Sequence, residues 1–211
     1  MSIAVIDYGM GNLRSVYQAL TYVAAGEEVR VTSDPAVVAA AHRVVFPGQG
    51  AMPDCMAELD ARNLRPAVLQ AAAEKPFLGI CIGLQMLFEW SEEGNTSGLG
   101  IFAGDVRRFP EDNMFAPDGS RLKVPHMGWN QVRQTGQHPL WANIADDARF
   151  YFVHSYRVHP TDPALATGAC EYGLPFTCAV GRANIFAVQF HPEKSARDGL
   201  QLLQNFIAWQ P

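Results

Sequence analysis

The stretch PFLGICIGLQ, residues 76–85, decides how the rest of the sequence is interpreted. Its first half is apolar and strand-like, and Cys81 has glycine at both second neighbours before a helix expected over residues 84–90. A strand that turns into a helix at G-x-C-x-G is typical of a nucleophile elbow, here with cysteine in place of serine. The glycines let neighbouring chains pass, and a helix N-terminus favours a thiolate. A cysteine between two isoleucines is also common as a plain buried residue, so this motif alone leaves both interpretations open.

Strands and helices alternate on the N-terminal side of this stretch. We expect strands at residues 3–8, 28–32, 43–46 and 77–80, and helices at 12–25, 35–40 and 54–74, the last broken or started by Pro66. Repeated units of this kind predict a parallel sheet with helices on both faces.

The second half has a different pattern, with short strands and turn signals in place of helices. Strands are expected at residues 101–109, 123–126, 129–134, 150–154, 164–172, 175–180 and 185–190. A final helix is expected at 195–209, with Ser195 as a candidate N-cap. The predicted fold is therefore α/β: one domain over residues 1–211, with a central, mostly parallel mixed sheet flanked by helices and an antiparallel extension.

Composition excludes several classes of protein. The chain has 211 residues, 48% hydrophobic and 18% charged, which is globular and not disordered. A net charge of −5 gives no electrostatic footprint for nucleic acid or an anionic membrane. The longest apolar stretch, residues 77–88, is shorter than the about 20 residues that a membrane span needs. The start MSIAVIDYG lacks the basic region of a signal peptide, so we expect a cytoplasmic protein with reduced cysteines.

A candidate base follows the last predicted strand in the segment VQFHPEKS, residues 188–195. Pro192 keeps His191 out of the helical region, and residues two apart on an extended chain face the same way. His191 and Glu193 are therefore expected side by side, with the carboxylate holding one ring nitrogen while the other takes a proton from Cys81. A lone His-Pro-Glu is weak support, because the chain has six histidines, but its combination with the elbow is strong.

A third motif, VVFPGQG at residues 44–50, is a strand that ends in Pro-Gly-x-Gly. Two glycines let a backbone N–H point toward a ligand. Acyl transfer needs about two such donors where negative charge develops, and the N–H of Ile82 is the natural second one. Taken alone, the motif fits an ordinary turn between a strand and a helix.

Along the chain the motifs are P-G-x-G at 47–50, G-I-C-I-G-x-Q at 79–85 and F-H-P-E-K at 190–194. In this order they closely resemble those of class I glutamine amidotransferases. Three further segments, IDYGMGNL at 6–13, PHMGWN at 125–130 and YFVHSY at 151–156, are similar to the glutaminase subunits of imidazole glycerol phosphate synthases. The resemblance runs from residue 3 to about 207. It implies the flavodoxin-like fold of class I amidotransferases.

The resemblance implies a role for each motif residue. The catalytic residues would be a nucleophile, a proton shuttle and its orienting carboxylate: Cys81, His191 and Glu193. The oxyanion hole would be formed or gated by Gln49, Gly50 and Ile82. The glutamine would be held by Gln85, Ser155 and Tyr156. The residues toward the partner would be Asn12, Trp129 and Lys194. Position 49 is often a small apolar residue in this family, so Gln49 puts the switching of the loop, but not its backbone donor, in question.

The reaction implied is hydrolysis of glutamine to glutamate and ammonia through a γ-glutamyl thioester. The ammonia would pass to a (β/α)-barrel cyclase subunit, which makes imidazole glycerol phosphate and aminoimidazole carboxamide ribotide in histidine biosynthesis. A paralogous glutaminase that serves surface-polysaccharide sugars or pyridoxal phosphate synthesis is an alternative. A non-catalytic flavodoxin-like binding module is another.

No cofactor and no metal are expected. The run that starts at Gly9 lacks the third glycine of a dinucleotide fingerprint. His154 and His159 have no third ligand beside them, and the cysteines form no C-x-x-C pair.

Overall fold

The computed structural model describes residues 1–110, 112, 114–116 and 118–211. The elements before the nucleophile are, in chain order, β1 (Ser2–Ile6), α1 (Leu13–Val23), β2 (Glu28–Thr32), α2 (Pro35–Ala40), β3 (Arg43–Gly48), α3 (Met52–Ala61), α4 (Arg65–Glu74) and β4 (Phe77–Cys81). Those after it are α5 (Ile82–Gln85), β5 (Phe88–Ser91), β6 (Thr96–Ser97), β7 (Phe102–Arg108), β8 (His126–Gln134), β9 (Ala148–His154), β10 (Tyr156–Pro160), β11 (Ala166–Glu171), β12 (Pro175–Arg182), β13 (Ile185–Val188) and α6 (Ala196–Ala208).

The strands of the described residues form one hydrogen-bonded sheet with two parts. Five parallel strands come first, in the order β2-β1-β3-β4-β13. Antiparallel pairing then carries the sheet from β13 through β12 and β10 to β7, while β11, β8 and β9 branch from β12. The predicted fold class, a mixed sheet flanked by helices with an antiparallel extension, is confirmed.

The core lies on both faces of the parallel strands. Every residue of β3, β4 and β13 is buried, as expected of central parallel strands that helices cover on both sides. The amphipathic helix α1 packs against α6, and α2 packs against α4. No helix among the described residues combines the length and the apolar character that a membrane crossing requires.

The predicted helix over residues 84–90 is wrong. α5 ends at Gln85, and Phe88–Ser91 forms strand β5, which pairs with β7 and β6. Phe88 and Ser91 are buried in this pairing, so contacts with distant strands outweigh the local helical spacing.

Other boundaries also differ from the prediction. Strand β10 at Tyr156–Pro160 was not predicted, and β8 begins only at His126, so residues 123–125 are not in a strand. The predicted helix 54–74 is two helices, with Pro66 in the first turn of the second, as one interpretation of Pro66 allowed.

Parallel pairing brings three chain segments to one edge of the sheet. Gly48 at the end of β3 lies opposite Cys81 at the end of β4, and Val188 at the end of β13 lies opposite Ile80. The segments that leave these strands therefore start side by side at the carboxyl edge, where open α/β sheets bind ligands.

Candidate active site

The backbone at Cys81 has the strained turn that the sequence predicts. Cys81 has φ 56° and ψ −110°, a conformation that non-glycine residues rarely adopt outside functional sites. The turn is tight enough that a Cβ on Gly83 would collide with the carbonyl oxygen of Phe46. α5 is a single turn, so its macrodipole contributes less to a thiolate than the predicted longer helix would. What the turn supplies is the N–H of Ile82, which, as the first residue of a helix, has no intrahelical acceptor.

The His-Pro-Glu segment holds an imidazole and a carboxylate together. His191 Nδ1 lies 2.8 Å from Glu193 Oε1, and the two side chains are 5% and 1% exposed. His191 is extended, with φ −103° and ψ 95°, as the following proline requires. Its N–H donates to Tyr151 O at 2.9 Å, and Ser195 Oγ donates to its carbonyl at 2.6 Å. The backbone of the base is therefore fixed on both sides.

Ser195 lies at the predicted N-cap position of α6 but does not cap the helix with its side chain. Besides donating to His191, its hydroxyl accepts the N–H of Tyr151 at 3.0 Å. The residue ties the base to strand β9 instead.

The charge state of His191 follows from its neighbours. Burial by itself lowers the pKa of His191, but the Cys81 side chain and the Glu193 carboxylate act in the opposite direction and together raise it above its usual range. Because Glu193 takes Nδ1, Nε2 is the ring nitrogen left to exchange a proton with the thiol.

The loop after β3 has the backbone freedom that its two glycines predict. Gly50 has φ 108°, in the region that favours glycine, and a Cβ there would lie 2.8 Å from Met10 Cε. Cys55 Sγ donates to the Gln49 carbonyl at 3.6 Å. Beneath the loop, Tyr8 is fully buried near Cys55, and burial is the main reason that the pKa of Cys55 rises to about 11. Sequence reasoning missed Tyr8 and Cys55, because they meet the loop only through the folding of β1 and α3 onto β3.

A cavity of about 440 Å³ opens at this edge of the sheet. It is lined by Gln49, Gly50, Cys81, Ile82, Gln85, Glu93, Pro125, Val153, His154, Ser155, Tyr156, His191 and Lys194. The structure thus brings together the predicted nucleophile, base, oxyanion loop and glutamine-binding residues, with Glu193 directly behind His191. Glu93 was not singled out in the sequence. Across the described part of the chain, no cluster of three or more His, Cys, Asp or Glu side chains is placed to hold a metal ion.

Two glutamines lie under the nucleophile. Gln189 Nε2 donates to Cys81 Sγ at 3.6 Å, and its Oε1 accepts from Gln85 Nε2 at 3.0 Å. Both side chains are buried. Sequence reasoning missed Gln189, although it lies two residues before His191 and so continues the same period of two through Glu193.

Among the predicted partner-facing residues, Lys194 lines the active-site cavity, whereas Trp129 lines a separate one. Trp129 is 44% exposed, and its ring lies 6.2 Å from that of Tyr151. Lys194 Nζ lies 5.9 Å from the centre of the same tyrosine ring. Asn12 precedes α1 and donates to Ser15 Oγ at 2.8 Å, and α1 packs against the turn Pro192–Lys194. Trp129 and Lys194 therefore share one exposed cluster with Tyr151, while Asn12 reaches it only through α1.

Comparison with known proteins assigns the family. The family model for class-I glutamine amidotransferases matches residues 4–209. The imidazole glycerol phosphate synthase subunit HisH of Dechloromonas aromatica is 74% identical over 210 residues, covering 100% of this chain and 97% of the relative. The protein of the same name from Aromatoleum aromaticum is 69% identical and covers 99% of both chains.

Solved structures agree on the fold. A crystal structure described as a glutamine amidotransferase superposes with a TM-score of 0.72 at 16% identity, over 98% of this chain and 97% of that one. A glutamine amidotransferase from Thermotoga maritima gives a TM-score of 0.61 at 17% identity, over 94% of this chain and 78% of that one. The chain belongs to the class-I glutamine amidotransferases and, within them, to the family of the HisH subunit of imidazole glycerol phosphate synthase.

Proposed function

We propose that this enzyme, a glutamine amidotransferase subunit of imidazole glycerol phosphate synthase in histidine biosynthesis, releases ammonia from glutamine with Cys81, His191 and Glu193. One observation carries the proposal: a cysteine in a strained elbow conformation shares a cavity with a histidine that a buried carboxylate orients at 2.8 Å. The continuous sheet supports residues 1–211 acting as one domain for this reaction.

The first step is attack of the Cys81 sulfur on the carboxamide carbon of glutamine. The thiol proton passes to Nε2 of His191, the C–S bond forms, and the carbonyl oxygen becomes an oxyanion. The backbone N–H groups of Ile82, Gln49 and Gly50, three residues that line the cavity, would stabilise that charge. Glu193 stabilises the imidazolium that forms, without taking its proton.

The tetrahedral intermediate then collapses. His191 returns its proton to the amide nitrogen, the C–N bond breaks, and ammonia leaves a γ-glutamyl thioester on Cys81. Water, deprotonated by the same imidazole, attacks the thioester carbon, and collapse of the second intermediate breaks the C–S bond. The products are glutamate, ammonia and the free enzyme.

Polar groups around the cavity fit the amino-acid end of the substrate. Glu93 is the carboxylate among the cavity-lining residues and offers a countercharge to the α-ammonium group. Its Oε2 accepts the Met52 N–H at 2.8 Å, which fixes its position. Ser155, between β9 and β10, and Tyr156, the first residue of β10, also line the cavity, as does Gln85. The shape and charge of the cavity thus support glutamine as the substrate.

The partner is a (β/α)-barrel cyclase subunit in this proposal. Ammonia in bulk water at pH 7 becomes ammonium and loses its nucleophilicity, so it has to leave through an interface. The cluster of Trp129, Tyr151 and Lys194, which reaches the cavity through Lys194, is the surface proposed to meet the cyclase, together with Asn12 just before α1. A glycine-permitted change in the loop at Gln49 and Gly50 would raise activity when the partner is bound.

The test is glutamate release by the chain alone and with its cyclase partner carrying the nucleotide ligand. Cys81→Ala removes the nucleophile and is expected to abolish release in both states. Cys170→Ala, a buried cysteine of β11 outside the site, is the matched control and is expected to keep it. Residual activity of Cys81→Ala near that of the control would overturn the mechanism. Equal activity with and without the partner would overturn the gating.

A further inference from the structure

Two buried histidines, His126 and His154, lie side by side in the antiparallel extension. His126 Nδ1 lies 2.9 Å from His154 Nε2, and the residues are 2% and 6% exposed. The His126 ring stacks on Phe152 with centroids 4.7 Å apart and on Tyr172 at 4.0 Å. An aromatic pocket of this kind favours neutral rings: burial lowers the pKa of His126 to about 4 and that of His154 to about 3.

The partners of His154 fix which nitrogens carry hydrogen. His154 Nδ1 lies 2.7 Å from the carbonyl oxygen of Tyr156, which accepts only, so Nδ1 donates. In a neutral ring Nε2 must then accept, and His126 Nδ1 is its donor. His126 Nε2 is left as an acceptor.

The donor to His126 is Asn130. Its Nδ2 lies 3.2 Å from His126 Nε2 and also donates to Glu171 O at 2.8 Å, while its Oδ1 accepts the Gln131 N–H at 2.8 Å. These contacts fix the orientation of the amide. Hydrogen bonds therefore run in one direction from Asn130 through both rings to the Tyr156 carbonyl.

That carbonyl also joins the chain to the nucleophile. Gln85 Nε2 donates to Tyr156 O at 3.3 Å and to Gln189 Oε1 at 3.0 Å. Gln189 Nε2 in turn donates to Cys81 Sγ at 3.6 Å. A continuous chain of hydrogen-bonded groups thus links strand β8 to the reactive sulfur.

We propose that Gln189 is a positioning residue for Cys81, and that the chain of hydrogen bonds behind it, which begins at Asn130, holds its amide in place. This inference rests on the function of Cys81 proposed above. An N–H donor at the sulfur stabilises the thiolate relative to the thiol. The other titratable groups near the sulfur are His191, Cys55 and Tyr8.

The outer end of the chain lies on the strand that carries part of the proposed partner surface. Asn130 directly follows Trp129 on β8, but its side chain faces the side of the strand that carries His126, opposite to Met127 and Trp129. Met127 and Trp129 are among the most exposed large apolar side chains described, and the β8 backbone connects them to Asn130. Contact at this strand that moves the Asn130 amide therefore alters the support of Gln189 from a distance. The chain gives the partner surface a physical link to the nucleophile.

The inner end is tested with Gln189→Met, which keeps the length of the side chain and removes its donor. In the complex, kcat is expected to fall about tenfold or more, with KM for glutamine nearly unchanged. In the full chain alone, the pH midpoint of Cys81 alkylation by iodoacetamide, read by peptide mass spectrometry, is expected to rise by about one unit. A normal kcat and an unshifted midpoint would overturn the inference, even where Cys81→Ala abolishes activity and the proposed function stands.

The outer end is tested with Asn130→Asp, which loses the donor to His126 while leaving the inner side chains intact. Gln131→Glu is the matched control, since it adds the same charge at the next position of β8, where the side chain is exposed. Asn130→Asp is expected to raise the alkylation midpoint and lower kcat about threefold, and the control is expected to do neither. Equal behaviour of the two variants would overturn the chain, and this pair decides the matter if Gln189→Met does not fold.

Discussion

The molecule contains two buried side-chain pairs that include histidine, and the histidine pKa is shifted in opposite directions in the two pairs. His191 beside Glu193 has a raised pKa, whereas His126 and His154 beside each other have lowered ones. Burial does not separate the pairs, since the three histidines are only 2% to 6% exposed. The neighbours of the ring separate them, because the Cys81 sulfur and the Glu193 carboxylate both stabilise the imidazolium of His191, and a second imidazole does not stabilise that of His126 or His154.

The comparison shows that one sheet can hold a charged histidine at His191 and a pair of neutral histidines, His126 and His154, a few strands apart. At the carboxyl edge of the parallel strands, Cys81 and Glu193 favour the protonated form of His191. In the antiparallel extension, His126 lies against aromatic rings and stays neutral, so its nitrogens serve only as a hydrogen-bond donor and acceptor. The charged or neutral character of the neighbouring side chains therefore decides whether a buried histidine takes part in proton transfer.

The largest effect on kcat is expected when His191 loses its carboxylate partner and so resembles His126 and His154. Glu193→Gln removes the carboxylate and allows the wrong ring tautomer at His191. Loss of the orienting carboxylate in a serine triad lowers kcat about 10⁴-fold, and we expect a fall of about 10³-fold or more here. Steady-state glutamate release from the complex measures it. Asp198→Asn, the same change at the start of α6, is the control, and a loss no greater than that of the control would break the comparison.

A smaller effect is expected in the pH dependence of stability. For His126 and His154 the folded pKa lies below the unfolded value of about 6.5, so the unfolded chain binds more protons between these values. Stability is therefore lost as pH falls from about 6.5 toward 4, by up to about 1.4 kcal/mol per pH unit for each ring. His191 has the opposite sign: its contribution is present at low pH and is lost as pH rises through its raised folded pKa.

Urea unfolding at pH 7, 6 and 5 separates these contributions. His126→Phe leaves His154 Nε2 without its donor and is expected to cost about 1–3 kcal/mol at pH 7. The same variant is expected to lose less stability than the unsubstituted chain between pH 6 and 5, because one titrating ring is gone. If the free energy of unfolding of the variant falls as steeply between pH 6 and 5 as that of the unsubstituted chain, His126 and His154 are not the source of the pH dependence.

Ser195→Ala is expected to lower activity far less than Glu193→Gln. It removes the hydroxyl that bonds the His191 carbonyl and the Tyr151 N–H, both in the backbone, and leaves the side-chain pair with Glu193 in place. We expect a loss of about 1–3 kcal/mol in the free energy of unfolding and only a few-fold loss in kcat. Ser33→Ala, at an exposed position, serves as the control in the same denaturant titration. A collapse of kcat as large as that of Glu193→Gln would mean that backbone support, not the carboxylate, makes His191 reactive.

The sequence was most informative where a local rule was sufficient. The glycines two residues on either side of Cys81, the proline after His191 and the period of two to Glu193 each act within a few residues, and the geometry they predict is the geometry observed. These rules fix the backbone and orientation of the site residues. Their catalytic roles stay predictions.

Local rules failed where distant strands decide. Phe88 and Trp90 lie in the predicted helix 84–90 but pair with distant strands, Phe88 with β7 and Trp90 with β6 and β7, so this part of the prediction is wrong. The contact between His126 and His154 depends on the antiparallel register of β8 and β9, which sets the two residues opposite each other. The contact of Cys55 with the loop at Gln49 likewise needs the packing of α3.

The positive φ of Cys81 also restricts how this enzyme can evolve. A serine adopts the same backbone at similar cost, so a hydroxyl nucleophile lies one substitution away. Threonine carries a branch at Cβ, and branched residues are severely strained at φ 56°. The backbone conformation at position 81 is thus compatible with cysteine or serine as the nucleophile but not with threonine.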